Sequence, residues 1–182
     1  MKIKRNILSF IVTLSMVFTL IPTWSVQAAS IDDANVFLKQ PKGSDTCTYF
    51  SAAMMLRRQA ILDGNTNWNS ITGTSVRNVA RHPGGGMSNS FSYAGMSVSA
   101  GNFSGSTAQK KEKLISMLNQ HPEGVVIYTY GTGKTHAVLA TKYENGTVYV
   151  ADPVHHLPAG NIAITSAWLS GNTQDERIGN LK

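Results

Sequence analysis

Between Val125 and Val150 the chain carries three stretches rich in β-branched and aromatic residues: Val125 to Tyr130, Ala137 to Tyr143 and Thr147 to Val150. The last two are separated by Asn145-Gly146, a dipeptide that accepts positive φ at both central positions of a two-residue hairpin turn. Gly131-Thr132-Gly133-Lys134-Thr135 fills the other break and reads as a second turn. Strands joined this closely form an antiparallel sheet. After Asp152-Pro153 the chain continues through a loop with His155, His156 and Pro158. A short strand at Asn161 to Ile164 and a helical turn near Ser166 to Leu169 follow.

The first half reads differently. Asp45 or Thr46 can cap a helix running from about Cys47 to Leu62, which Asp63-Gly64-Asn65 ends. Phe50, Ala53, Met54, Arg57 and Ile61 recur at helical spacing, giving a largely apolar face, with Arg57, Arg58 and Gln59 expected toward water. Before this helix, Val36-Phe37-Leu38 reads as a short strand or extended segment, broken by Pro41 and Gly43. Beyond it, Trp68 to Ile71 and Ser75 to Ala80 suggest short helices, and His82 to Gly86 a loop. Ser88 to Gly105, rich in Ser, Gly and Asn, reads either as a flexible, substrate-contacting loop or, equally, as a long ordered connection with no function of its own. Ser106 with Gln109 makes a capping box before an outer, basic helix over Lys110 to Asn119, closed by Pro122-Glu123-Gly124. An early central helix and a late antiparallel sheet define an α+β domain.

The start of the chain is expected to be a targeting segment. Lys2, Lys4 and Arg5 precede an apolar run from Ile7 to Ile21, and Val26-Gln27-Ala28 is a small-residue cleavage pattern. The apolar run is short for a stable membrane span, and the pattern looks bacterial. Cleavage after Ala28 leaves 154 of 182 residues as a single domain, 29–182, and removes three basic residues, so the formal charge falls from +6 to +3. A balance that small gives no reason to expect a nucleic acid or anionic membrane partner. One cysteine, Cys47, excludes an internal disulfide and cysteine-rich zinc motifs. No metal or cofactor is expected.

Several motifs invite chemistry. Gly131 to Thr135 ends like a phosphate-binding loop, but Tyr128 stands where that motif needs its first glycine, and strand-like residues follow instead of a helix. His155 and His156 are adjacent and point apart on an extended chain. His82 and His121 read as surface residues. His136 is different: it opens a strand after a glycine turn, and Asp152 closes the next strand of the same hairpin. A small register shift or bulge places both on one face, where the carboxylate can orient the imidazole toward a thiol. Cys47, at a helix N-terminus that favours negative charge, is the thiol available.

Gln40 shortly before Cys47, His136 opening His-Ala-Val-Leu-Ala-Thr-Lys-Tyr, then Asn-Gly and Val-Tyr-Val-Ala-Asp-Pro, together resemble papain-like cysteine peptidases of the C39-like group. The match runs from Gln40 to about Leu169. The resemblance implies a papain-like fold, its N-terminal helix carrying the cysteine against a C-terminal antiparallel sheet. It implies Cys47 as nucleophile, His136 as general base and acid, Asp152 as its orienting group, and Gln40 with the Cys47 backbone N–H as oxyanion donors. Thr48-Tyr49 departs from the small residues usual after that cysteine. The expected activity is a secreted thiol hydrolase acting on a peptide or protein through an acyl-thioester. The alternatives are a cell-wall amidase or endopeptidase, a transacylase, or a non-catalytic, toxin-like binding module using segment 84–106.

Overall fold

The computed structural model describes residues 29–102, 104–131, 134–154, 162–164 and 177–181. The segment 1–28, the His155-His156 pair and the turn expected at 166–169 lie outside the described residues. Seven strands form one antiparallel sheet: β1 (Ser90–Tyr93), β2 (Met96–Asn102), β3 (Val125–Gly131), β4 (Lys134–Glu144), β5 (Thr147–Ala151), β6 (Ile162–Ile164) and β7 (Arg177–Leu181). Their order is β1-β2-β7-β3-β4-β5-β6. The expected meander of β3 to β6 is therefore present, and β7, which the sequence did not suggest, joins it to the β1–β2 hairpin.

Side chains alternate across a strand, so each central strand supplies two cores. Val126, Ala137, Leu139 and Ala151 pack with α1 (Cys47–Leu62) and α2 (Gly73–Ala80). Val125, Ile127, Val138, Ala140, Val148 and Val150 pack on the other side with Leu114 and Leu118 of α3 (Thr107–Gln120). The sheet is thus a middle layer between helices, in an α+β arrangement. The Ser106–Gln109 capping box forms as expected.

Helix α1 begins and ends where the sequence places it, but it is buried nearly all round rather than on one face. Arg57 and Arg58, expected toward water, are 7% and 2% exposed. Both are buried because their donors meet backbone carbonyls. Arg57 donates to Ile71 O (2.6 Å), Asn69 O (2.8 Å) and Asn35 O, and lies over the Trp68 ring. Arg58 places all five N–H groups: on Glu123 O, Ile31 O and Pro122 O (each 2.8 Å), Asp32 Oδ1 (2.9 Å) and Thr141 O (3.4 Å). A fully donated guanidinium avoids most of the cost of burying an unpaired charge.

Two further expectations change. Val36 ends a 3-10 turn, Ala34–Val36, Phe37 after it is extended, and no strand forms over 36–38. The segment Ser88 to Gly105, read as a connection, flexible or ordered, mostly forms the β1–β2 hairpin. Ala94 and Gly95 turn it with φ of 53° and 80°, and Met96 and Val98 face the core. Ser90, Ser92 and Ser97 fall on exposed alternate positions and mask the pattern.

Helices α1 and α2 meet at Gly73, where an added Cβ would lie 2.3 Å from the Phe50 ring. Gly73→Ala is therefore expected to lower stability by about 1–3 kcal/mol, the usual cost of overpacking, visible as a reduced midpoint of chemical unfolding.

Candidate active site

The hairpin β4–β5 sets the site. Asn145 and Gly146 adopt φ of 50° and 81°, and Glu144 pairs with Thr147, Tyr143 with Val148 and Lys142 with Tyr149. A bulge at Thr141 then shifts the register by one, so that Ala140 pairs with Val150 and Leu139 with Ala151. Continuing that count puts Asp152 level with Val138 and on the same face as His136, one pair further along. Without the extra residue Asp152 would be level with Leu139, on the opposite face from His136. The Thr141 hydroxyl donates to Tyr149 O (3.2 Å), and Arg58 donates to Thr141 O, so the bulge is tied to both β5 and α1.

His136 Nε2 and Asp152 Oδ1 are 2.8 Å apart. The same oxygen accepts the Val154 backbone N–H at 2.8 Å, which fixes the carboxylate across the Asp152-Pro153 turn. Asp152 is 7% exposed. With Nε2 on the carboxylate, Nδ1 is left to the thiol, and the His136 ring is hydrogen-bonded to Cys47. His136 is pushed up to about 9, first by its hydrogen bond to Asp152 and then by that to Cys47, against the opposing effect of burial. Burial alone would raise the Cys47 thiol. Hydrogen bonds from His136, the Ala137 backbone and the Thr48 hydroxyl outweigh it, and the thiol lies below its ordinary value. A low thiol beside a high imidazole is the condition for a thiolate–imidazolium pair.

Helix α1 is docked so that this contact is made. Strand β5 ends at Ala151, opposite Leu139, and Ala137 lies beyond that last pair. Its carbonyl accepts from Ser51 (3.1 Å), one helical turn after Cys47, while its N–H holds the sulfur. Neither Asp45 nor Thr46 caps the helix as expected. Thr46 occupies the N-cap position without a side-chain cap bond, its hydroxyl lying 2.7 Å from that of Ser44. The first-turn N–H groups beside Cys47 are thus not spent on a cap.

Gln40 begins the loop leading to Cys47. Its backbone N–H donates to Pro153 O (2.8 Å), linking this loop to the Asp152 turn, and its Nε2 donates to Ser44 O (2.6 Å). Its Oε1 is buried and has no hydrogen-bond partner among the described residues. The amide nitrogen has a second proton to give.

Cys47, His136 and Asp152, the candidate residues expected from the sequence, therefore converge, and Gln40 stands on the loop that joins the Cys47 and Asp152 segments. Sequence reasoning missed the bonds of Thr48 and Ala137 to the thiol, and those of Tyr128 and Ser51 to these two residues. The Thr48 hydroxyl lies 2.6 Å from that of Tyr128. Tyr49, the other residue departing from the expected small pair, donates to Gly86 O (2.7 Å) and so pins the glycine loop of 82–86 to the start of α1. The only signal was the unusual Thr48-Tyr49 pair itself. Among the described residues no group of three or more His, Cys, Asp or Glu side chains is placed to hold a metal ion. No helix among them is long and apolar enough to cross a membrane.

A thiol, an imidazole and a carboxylate thus stand in series at an uncapped helix start, an arrangement in which the imidazole can activate the thiol. Comparison with family models, with curated proteins and with solved structures finds no match to this chain.

Proposed function

We propose that this chain is an exported cysteine peptidase or amide hydrolase with a papain-like arrangement, matured by cleavage near Ala28. The observation that carries this reading is His136 held between Asp152, at 2.8 Å, and the Cys47 thiol. Attack by the Cys47 sulfur on an amide carbonyl forms a tetrahedral oxyanion. His136 then gives its proton to the leaving amine, producing a thioester, and next takes a proton from the water that releases the acid. Gln40 Nε2 and the Cys47 backbone N–H serve the oxyanion. Asp152 keeps the ring oriented throughout.

Alkylation tests the reading without a known substrate. The exported chain, treated with iodoacetamide at neutral pH, is expected to label at Cys47 faster than an ordinary thiol. His136→Ala should slow labelling roughly tenfold or more, since each unit of thiol pKa changes the thiolate fraction tenfold. Slow labelling that His136→Ala leaves unchanged would sink the activated thiol.

A further inference from the structure

Thr48 follows Cys47 in the first turn of α1, is 8% exposed, and is hydrogen-bonded through its side chain to the thiol. Its Oγ1 is 2.6 Å from Tyr128 Oη, a distance at the short end for paired hydroxyls. Tyr128 reaches this point from β3, where it pairs with Ala137, the residue whose backbone N–H holds the same sulfur. Elements α1, β3 and β4 thus deliver an alcohol, a phenol and a backbone N–H, in that order, to one place. Each hydroxyl has a single proton, so if Thr48 donates to sulfur it must accept from Tyr128. A phenol is the more acidic group and the better donor, which gives the chain of bonds one favoured direction.

Resting on the thiol-hydrolase reading above, we propose that Tyr128 and Thr48 form a hydroxyl relay that positions the Cys47 sulfur and favours its anionic form. Tyr128 Oη–H donates to Thr48 Oγ1, and Thr48 Oγ1–H donates to the sulfur. Both are positioning residues. The relay accounts for the departure at position 48: a small apolar residue there offers the sulfur no donor. It also gives Tyr128 a use that packing alone does not, because an apolar pair of the same shape fills the space with little change in stability.

The pH dependence of iodoacetamide alkylation tests the proposal, since it reads the thiolate and needs no substrate. Thr48→Val is expected to raise the midpoint by about one pH unit, the scale of one hydrogen bond to a charged group. Tyr128→Phe should move it the same way by less. Thr48→Ser should restore the parent profile. Because Tyr128 acts through Thr48, the double variant should shift no further than Thr48→Val alone. Unchanged midpoints in Thr48→Val and Tyr128→Phe, or a double shift equal to the two single shifts combined, would overturn the relay. His136→Ala serves as the reference. A profile that responds to His136→Ala but not to Thr48→Val removes the relay alone, and one that ignores His136→Ala removes the activated thiol and the relay with it. If Thr48→Val fails to fold, Tyr128→Phe, which deletes one oxygen, decides the matter.

Discussion

Cys47→Ala is expected to reduce the proposed amide hydrolysis to background, a loss on the order of 10⁶ in kcat, the scale seen when an acyl-transfer site loses its nucleophile. The chain has no second cysteine to substitute for it. The fold should survive, because the substitution removes one half-buried sulfur atom and leaves the Ser51 bond to Ala137 in place. Matched unfolding midpoints with absent turnover is the expected pair of results, and retained turnover would exclude Cys47 as the nucleophile.

On the proposed mechanism, kcat/KM of the parent chain should depend on pH in a bell shape. Its acid limb reports formation of the thiolate and lies below the ordinary thiol range; its alkaline limb reports loss of the His136 proton near 9. The two limbs belong to the coupled pair rather than to either residue. Stability follows the same proton. His136 binds it more tightly folded, at about 9, than at its ordinary 6.5, so this contribution is complete below about 6.5 and is lost as pH rises through about 9. Asp152→Ala should flatten that part of a stability–pH curve.

Arg58→Met is expected to be the most damaging substitution to the fold away from the thiol. It removes five donors at a 2% exposed position and leaves the carbonyls of Ile31, Pro122, Glu123 and Thr141 without them. Methionine fills most of the volume, so the loss measures unsatisfied polar groups rather than a cavity. Each orphaned buried acceptor costs about 1–3 kcal/mol, partly recovered by water, so a total of about 4 kcal/mol is expected in chemical denaturation. A loss below about 1 kcal/mol would mean these carbonyls find other partners. Because Arg58 also holds the bulge at Thr141, the variant should lose Cys47 reactivity at denaturant concentrations where α1 is still helical. Circular dichroism and alkylation measured together would show this.

What the sequence made legible follows from how local each signal is. The Asn145-Gly146 turn, the ends of α1 and the Ser106–Gln109 box are written in a few adjacent residues, and each appears as expected. The convergence of His136 with Asp152 followed from counting outward from one turn. Features that depend on distant backbone were not legible. Arg57 and Arg58 look like surface residues until their carbonyl partners, from 12 to 83 positions away, are known. The β1–β2 hairpin was hidden because serine occupies its exposed positions. Strand β7 is placed by pairing with β2 and β3, neither of them close in sequence. Thr48 and Tyr128 are 80 positions apart, and nothing local joins them.

The bulge at Thr141 makes the spacing of the hairpin more important to the site than its composition. Substitutions along β4 and β5 can be absorbed by repacking, but insertion or deletion of one residue between the bulge and Asp152 changes which side of the sheet the carboxylate occupies. A hairpin of this kind is constrained in length before it is constrained in chemistry: a frame of even and odd positions is kept, and a single-residue change of length is the lesion it tolerates least.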